Sequence, residues 1–299
     1  MCSSDLFIPI IVIVFIALNS FVLLTLTNNI KTDFIETYSS SIENNKNEYY
    51  KNYVDEIGST IENEMDMIFR ELTIFGNIVQ VYFDNSTEFA ALTEAMKSTP
   101  YFEDKFVYSG IWQQNTPDEP SLVHAQRYLL DENNEIRADV KQYIDDTLIL
   151  DLLFPSVLKY GIDKQLVYFQ GPVNASFARM APWVDLGNLM NDVYPAYTDL
   201  PTWETFNPGL VAQWEEKIKN TPDAKEDNRL LMKASSPVQD GVTGQIVITF
   251  GYPIWSSDRT KFRGSYGIDV PIDQILSLVE DVQIANSGFA FLSQSNGNL

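Results

Sequence analysis

Apolar positions follow different rhythms along this chain. From Leu6 to Thr27 (LFIPIIVIVFIALNSFVLLTLT) they are nearly continuous and free of charge. A run of about 20 such residues predicts a helix long enough to cross a bilayer core of roughly 30 Å. From Lys31 to Phe83 there is no proline, and Ile57, Ile61, Met65, Ile68, Leu72, Phe75, Val79 and Tyr82 recur at gaps of four or three. That spacing predicts one face of a long amphipathic helix. Its first half admits two helices broken near Gly58, but one continuous stalk leading from the membrane into a dimer is preferred.

Beyond Asp84-Asn85-Ser86-Thr87 the period shortens. A short helix over 88–98 leads to FVYSGIWQ (106–113) and SLVHAQRYLLD (121–131), two runs that predict a hairpin. Residues 136–161 are expected to be helical up to Pro155, QLVYFQGP to be a strand, and NASFARMAPWVDLGNLM to pass from strand into helix. A polar, proline-punctuated insertion (201–228) holds a short helix around Val211 to Lys219. LLMKASSPV, TGQIVITFGYPIW and RGSYGIDVPI, spanning 230–272, then predict an antiparallel meander. DQILSLVEDVQIA is expected to close it as a helix, and SGFAFLSQ to start a further strand. The fold class expected is α+β: a transmembrane helix, a long stalk helix, and an antiparallel sheet flanked by helices.

Composition narrows the function classes. A formal net charge of −21 repels phosphate backbones and argues against a nucleic-acid partner. With 45% hydrophobic and 13% aromatic residues the chain is no disordered polyanion. The single cysteine, Cys2, precedes the apolar run, so the part that follows has no disulfide. The leader lacks Lys and Arg and the run ends without an Ala-x-Ala pattern, which favours an uncleaved anchor over a signal peptide. Neither flank carries the cationic excess that would fix orientation. A large acidic domain after a first span is most simply extracytoplasmic, so the expected location is the cell membrane.

The order of elements resembles the double Cache sensor family of transmembrane receptors, and the resemblance implies PAS-like antiparallel sheet modules. TGQIVITFGYPIWSSDRTKFRGSYGIDVPIDQIL (243–276) is the most specific stretch, with SFARMAPWVDL (176–186), SGFAFLSQSNGNL (287–299) and the anchor-plus-helix order in support. The resemblance implies a leader at 1–5, a span at 6–27, a stalk at 28–85, a membrane-distal module at 86–283 and the start of a membrane-proximal module at 284–299. It also implies an N-terminal fragment, with a second span and an output segment expected after Leu299.

Candidate chemistry centres on a pocket. Arg179 offers forked donors to a carboxylate, and Trp183, four residues on, would share its face on a helix. By the resemblance, Asp269 occupies the strand position that accepts hydrogen bonds from a ligand amino group. The family's usual tyrosine is replaced at Val238, for which Tyr168, Tyr194 or Tyr197 are candidate substitutes. In family members that bind amino acids one residue separates Arg from Trp; here Met180-Ala181-Pro182 intervene. Structural alternatives stay open, with Arg179 paired to Asp185 and Trp183 in the core. The ligand expected is an amino acid, an amine or a carboxylate. No cofactor, metal site or catalytic residue is expected: His124 is the single histidine and reads as packed or surface. The alternatives to a sensor are an anchored hydrolase using Asp240 and Asp269, and an adhesion or structural ectodomain.

Overall fold

The computed structural model describes residues 4–97, 107–108, 111–114, 121–184, 186, 203, 207–221, 228–241 and 243–280, with side chains from 19 onward except at 107–114, 228–229 and 278–280. Helix α1, Ser4–Asp84, is helical over 81 residues, Gly58 included. The backbone therefore has no helix break at Gly58. The chain forms two compact units that divide between Ser59 and Thr60. In the first, the described side chains of α1 are exposed almost throughout. Among the described residues no helix is long and apolar enough to cross a membrane. The apolar run at 6–27 falls largely on positions whose side chains lie outside the described ones.

In the second unit the predicted stripe finds its partner. Ile68, Leu72, Val79 and Phe83 of α1 are buried against a nine-stranded sheet. Besides the end of α1, the helices of this unit among the described residues are α2 (Ala90–Lys97), α3 (Ala138–Asp145), α4 (Leu150–Lys159), α5 (Leu210–Asn220) and α6 (Ile272–Glu280). The strands are β1 (Val107–Tyr108), β2 (Ile111–Gln114), β3 (Leu122–Gln126), β4 (Leu166–Gln170), β5 (Ala178–Ala181), β6 (Lys233–Ala234), β7 (Val238–Gln239), β8 (Ile246–Trp255) and β9 (Phe262–Pro271). Their order is β1-β2-β3-β5-β4-β9-β8-β6, with β7 also on β8, and every pairing is antiparallel.

Side chains on a strand alternate between the two faces. Val123, Ala125, Val167, Phe169, Ala181, Phe250, Tyr252, Tyr266, Ile268 and Val270 face the main core with α1, α3, α4 and α6. Close approach is allowed there by Gly76, where a Cβ would lie 2.3 Å from the Tyr252 ring. The Tyr252 hydroxyl donates to Asn77 Oδ1 at 3.2 Å, anchoring β8 to the helix. Positions of opposite parity on the same strands build the other face.

Three local expectations are corrected. Pro155 lies inside α4, which continues to Lys159. The ring removes one amide donor, but Leu150, Phe154 and Val157 of this helix are fully packed into the core, which offsets the lost bond. LLMKASSPV is not one strand: Asn228–Leu231 forms a 3-10 turn, with β6 and β7 short and separate after it. FVYSGIWQ likewise yields two strands, β1 and β2, paired with each other. The β2–β3 hairpin, the β8–β9 pair and the helix after β9 lie where the pattern places them. SGFAFLSQ falls outside the described residues.

Candidate functional site

The face turned away from α1 carries a cavity of about 530 Å³. Its floor is the alternate residues of four adjacent strands: Leu166, Tyr168 and Gln170 of β4, Ala178 and Met180 of β5, His124 and Gln126 of β3, and Asp269 of β9. Val247, Thr249 and Gly251 of β8 extend it, and Trp214, Gln213 and Leu210 of α5 cover it. The cover has its own apolar anchor. Trp203, Trp214, Ile218, Leu231, Trp255 and Phe262 pack as one cluster, and the Trp214 indole donates to Leu231 O at 2.9 Å.

Asp269 is 5% exposed. Thr249 Oγ1 donates to its Oδ1 at 2.7 Å. Burial pushes this carboxyl up to about 7, with the nearby Asp240 charge adding to the rise and the Thr249 bond opposing it. Asp240 itself is held by its own turn and by the residue before β4: Thr243 N at 2.8 Å, Thr243 Oγ1 at 2.6 Å and Gln165 Nε2 at 3.1 Å all donate to its Oδ2. Asp269 therefore presents the less satisfied carboxylate to the cavity. Lys233, on β6, lines the same cavity and donates to Gln213 Oε1 at 2.5 Å.

Tyr168 lies directly opposite Gly267 on β9. A Cβ at Gly267 would sit 2.4 Å from the Tyr168 ring, so only glycine lets the ring lie flat across the neighbouring strand. Burial, and the charges of Asp269 and Asp240, push the Tyr168 phenol well above its usual value, so it stays a neutral hydroxyl. Gly267→Ala is expected to drive the ring into the cavity and cost about 1–3 kcal/mol as overpacking. A lowered urea midpoint with unchanged slope is the signature.

Arg179 is elsewhere. It sits on β5, not on a helix, and its parity turns it to the opposite face among α3 and α4. It is 0% exposed and paired with Asp151. Nε donates to Thr147 Oγ1 at 3.0 Å and Nη2 to Ile144 O at 3.1 Å, so its fork is occupied by protein groups. Its ion-pair partner is Asp151 of α4; Asp185, the partner in the structural alternative, lies outside the described residues. Trp183 lies past the end of the strand, packed against the cluster of Leu122, Leu166, Ala178, Met180 and Leu186 on the cavity side. The expected shared helical face of Arg179 and Trp183 is thus absent. Tyr194 and Tyr197 lie outside the described residues. The structure brings Asp269 and Tyr168 together and separates both from Arg179.

His124 was read as packed or surface; it is 3% exposed and its ring lines the cavity. Burial holds its pKa at about 4, well under the ordinary imidazole value. Asp269 and His124 then act in opposite senses on stability. Between about 4 and about 7 the folded Asp269 keeps a proton that the unfolded chain has released, so its contribution falls as pH rises. Between about 6.5 and about 4 the unfolded His124 takes a proton that the fold refuses, so its contribution falls as pH drops. Asp269→Asn is expected to leave the His124 slope uncovered: urea-denaturation stability should then rise more steeply from pH 4 to 6.5 than in the parent.

No protein-family model matches the chain, and no curated protein matches it. Solved structures do. The ligand-binding domain of the Campylobacter jejuni chemoreceptor Tlp3, in complex with 4-methylisoleucine, is 15% identical with a TM-score of 0.27, over 74% of this chain and 65% of that one. The ligand-binding domain of the Pseudomonas aeruginosa amino acid chemoreceptor PctC, in complex with GABA, is 12% identical with a TM-score of 0.28, over 75% and 68%. The ligand-binding domain of Mlp24 with asparagine is 12% identical with a TM-score of 0.27, over 79% and 67%. The chain is similar to chemoreceptor ligand-binding domains. It spans about two thirds of their length, 65% for Tlp3. At these identities and TM-scores no residue is carried across, and the functional reading rests on this chain's own cavity.

Proposed function

We propose that residues 86–283 form the PAS-like sensor module of a membrane-anchored receptor, binding a small cationic amine or amino acid. The anchor is residues 6–27, the stalk is 28–85, the module faces the extracytoplasmic side, and residues 284–299 begin a second module. Two copies associate through the stalk. Binding shifts the balance between two arrangements of the stalk helices, and the energy available for that shift is the difference in ligand affinity between them.

The observation that carries this reading is Asp269: a buried carboxylate lining a cavity of about 530 Å³, with Thr249 as its donor. A buried anion is costly unless a cation or a full set of donors meets it. An ammonium group supplies both charge and hydrogen bonds. Lys233, with donors beyond the one given to Gln213, is the cation on the same wall and would take the carboxylate of an amino acid.

The test is a thermal-shift and calorimetric screen of the 299-residue chain in detergent micelles against amines, amino acids and carboxylates lacking an amine. Amine-bearing compounds should raise Tm. Affinity should climb as pH rises through about 7, because the ammonium binds the ionised form of Asp269. Asp269→Asn should weaken binding by about tenfold to a hundredfold, the equivalent of about 1.5–3 kcal/mol for a charged hydrogen bond. Equal stabilisation by amine-free carboxylates, together with an indifferent Asp269→Asn variant, would sink the reading.

A further inference from the structure

The cavity has a second polar end, remote from Asp269. Strand register sets His124 of β3, Ala178 of β5, Gln170 of β4 and Ser265 of β9 side by side in one row. Asp269 belongs to a different row, opposite Leu166. Leu166 and Gln170 are four residues apart on β4, so the two rows stand roughly 13 Å apart at about 3.3 Å per residue. Tyr168 and Met180, paired across β4 and β5, occupy the row between them.

His124 and Gln170 are 3% and 4% exposed, and both line the cavity. Asn207 Nδ2 donates to Gln170 Oε1 at 3.5 Å. Gln170 Nε2 and His124 Nδ1 have no hydrogen-bond partner among the described residues. Buried polar atoms are normally satisfied, and two unsatisfied ones in one row, on the floor of one cavity, mark a place where something else completes them. We propose that His124 and Gln170 form a second subsite for a neutral carboxamide or carbonyl group, so that the ligand is an elongated amine carrying that group at its far end.

Chemistry selects the neutral group. Gln170 Nε2 is a donor, and the Nδ1 of a neutral imidazole protonated on Nε2 is an acceptor. A carboxamide answers both, its oxygen accepting from Gln170 and its nitrogen donating to His124. Burial keeps the imidazole uncharged, so this end supplies no positive charge of its own. Lys233 sits opposite Gly251 on the far margin of the sheet, in the row of Gly267 and Tyr168, and so in neither polar row. A carboxylate placed on the His124 row would therefore be buried without a counter-charge. Allowing one hydrogen bond of about 3 Å at each end, roughly 7 Å of the 13 Å remains for the ligand, about six bonds from nitrogen to oxygen.

This inference rests on the amine reading of Asp269, and the experiment separates the two. Binding of 5-aminopentanamide and of pentylamine to the 299-residue chain in detergent micelles is measured by calorimetry. The first carries the amide and the second has the same chain without it. In the parent, 5-aminopentanamide should bind about tenfold more tightly or better. In Gln170→Met, which keeps the volume but removes the donor, that advantage should shrink to about threefold or less. If pentylamine binds and the amide binds no better, the row holds water alone and this inference falls while the amine reading stands. If the Gln170→Met variant is folded and keeps the full advantage, the inference falls as well. If neither compound binds the parent, the amine reading fails and takes the second subsite with it. The comparison of the two ligands in the parent needs no variant, so a Gln170→Met chain that does not fold leaves it decisive.

Discussion

Replacing Arg179 with alanine is expected to remove about 3–5 kcal/mol of stability, read as a lowered urea midpoint, without altering which ligands the folded protein prefers. The guanidinium is paired with Asp151 and bonded to Thr147 and Ile144, all on the α1 side of the sheet. Asp151 also accepts from Ser121 Oγ, so removing the arginine leaves a buried carboxylate with a single neutral donor. That stranded charge, more than the lost attraction, dominates the effect. A double change, Arg179→Met with Asp151→Leu, removes both charges and should recover most of the loss. If Arg179→Ala instead abolished amine binding at unchanged stability, the assignment of this residue to the core side would be wrong.

Trp214→Ala is expected to cost about 3–5 kcal/mol, but locally. Trp214 is fully buried, and its cluster, with Trp203, Leu231, Trp255 and Phe262, is separate from the main core. The cluster holds α5 over the cavity rather than holding α1 on the sheet. Hydrogen exchange should therefore quicken most in 210–220 and least in β4 and β5, since subglobal units open independently. Ligand affinity should fall along with protection, because α5 contributes Leu210 and Gln213 to the cavity wall. Uniform loss of protection across the sheet would mean that the cover and the floor are one cooperative unit.

How far the sequence reached differs by element. The α1 stripe was legible because seven turns of 3.6-residue period have no other explanation, and Ile68, Leu72 and Val79 are indeed buried. The β8–β9 pair was legible because both strands are long and bounded by turn residues. The side of Arg179 was not. Ala178–Ala181 is four residues long and buried at every position, so neither a period of two nor one of 3.6 can be told from it. Reading it as helix put Arg179 and Trp183 on one face; reading it as strand puts Arg179 with Phe169 and away from Met180. His124 could be read only as packed or surface for the same reason, since all five residues of β3 are buried and no polar-out rhythm marks its face. Lys233 had no signal at all, because β6 is two residues long. Register across strands, which depends on contacts between distant segments, is what assigned these residues their sides.

The alternation on β9 bears on how this protein can change over time. Asp269 and Gly267 face the cavity, while Tyr266, Ile268 and Val270 face α1. Substitutions at the odd-numbered positions can drift toward a new ligand without disturbing the packing on the stalk helix, and the even-numbered ones can tune that packing without touching the ligand. A single inserted or deleted residue between 265 and 270 abolishes this independence, because it exchanges the two sets at once. Ligand preference on this scaffold is thus free to diversify by point substitution, while the length of the strand is held fixed.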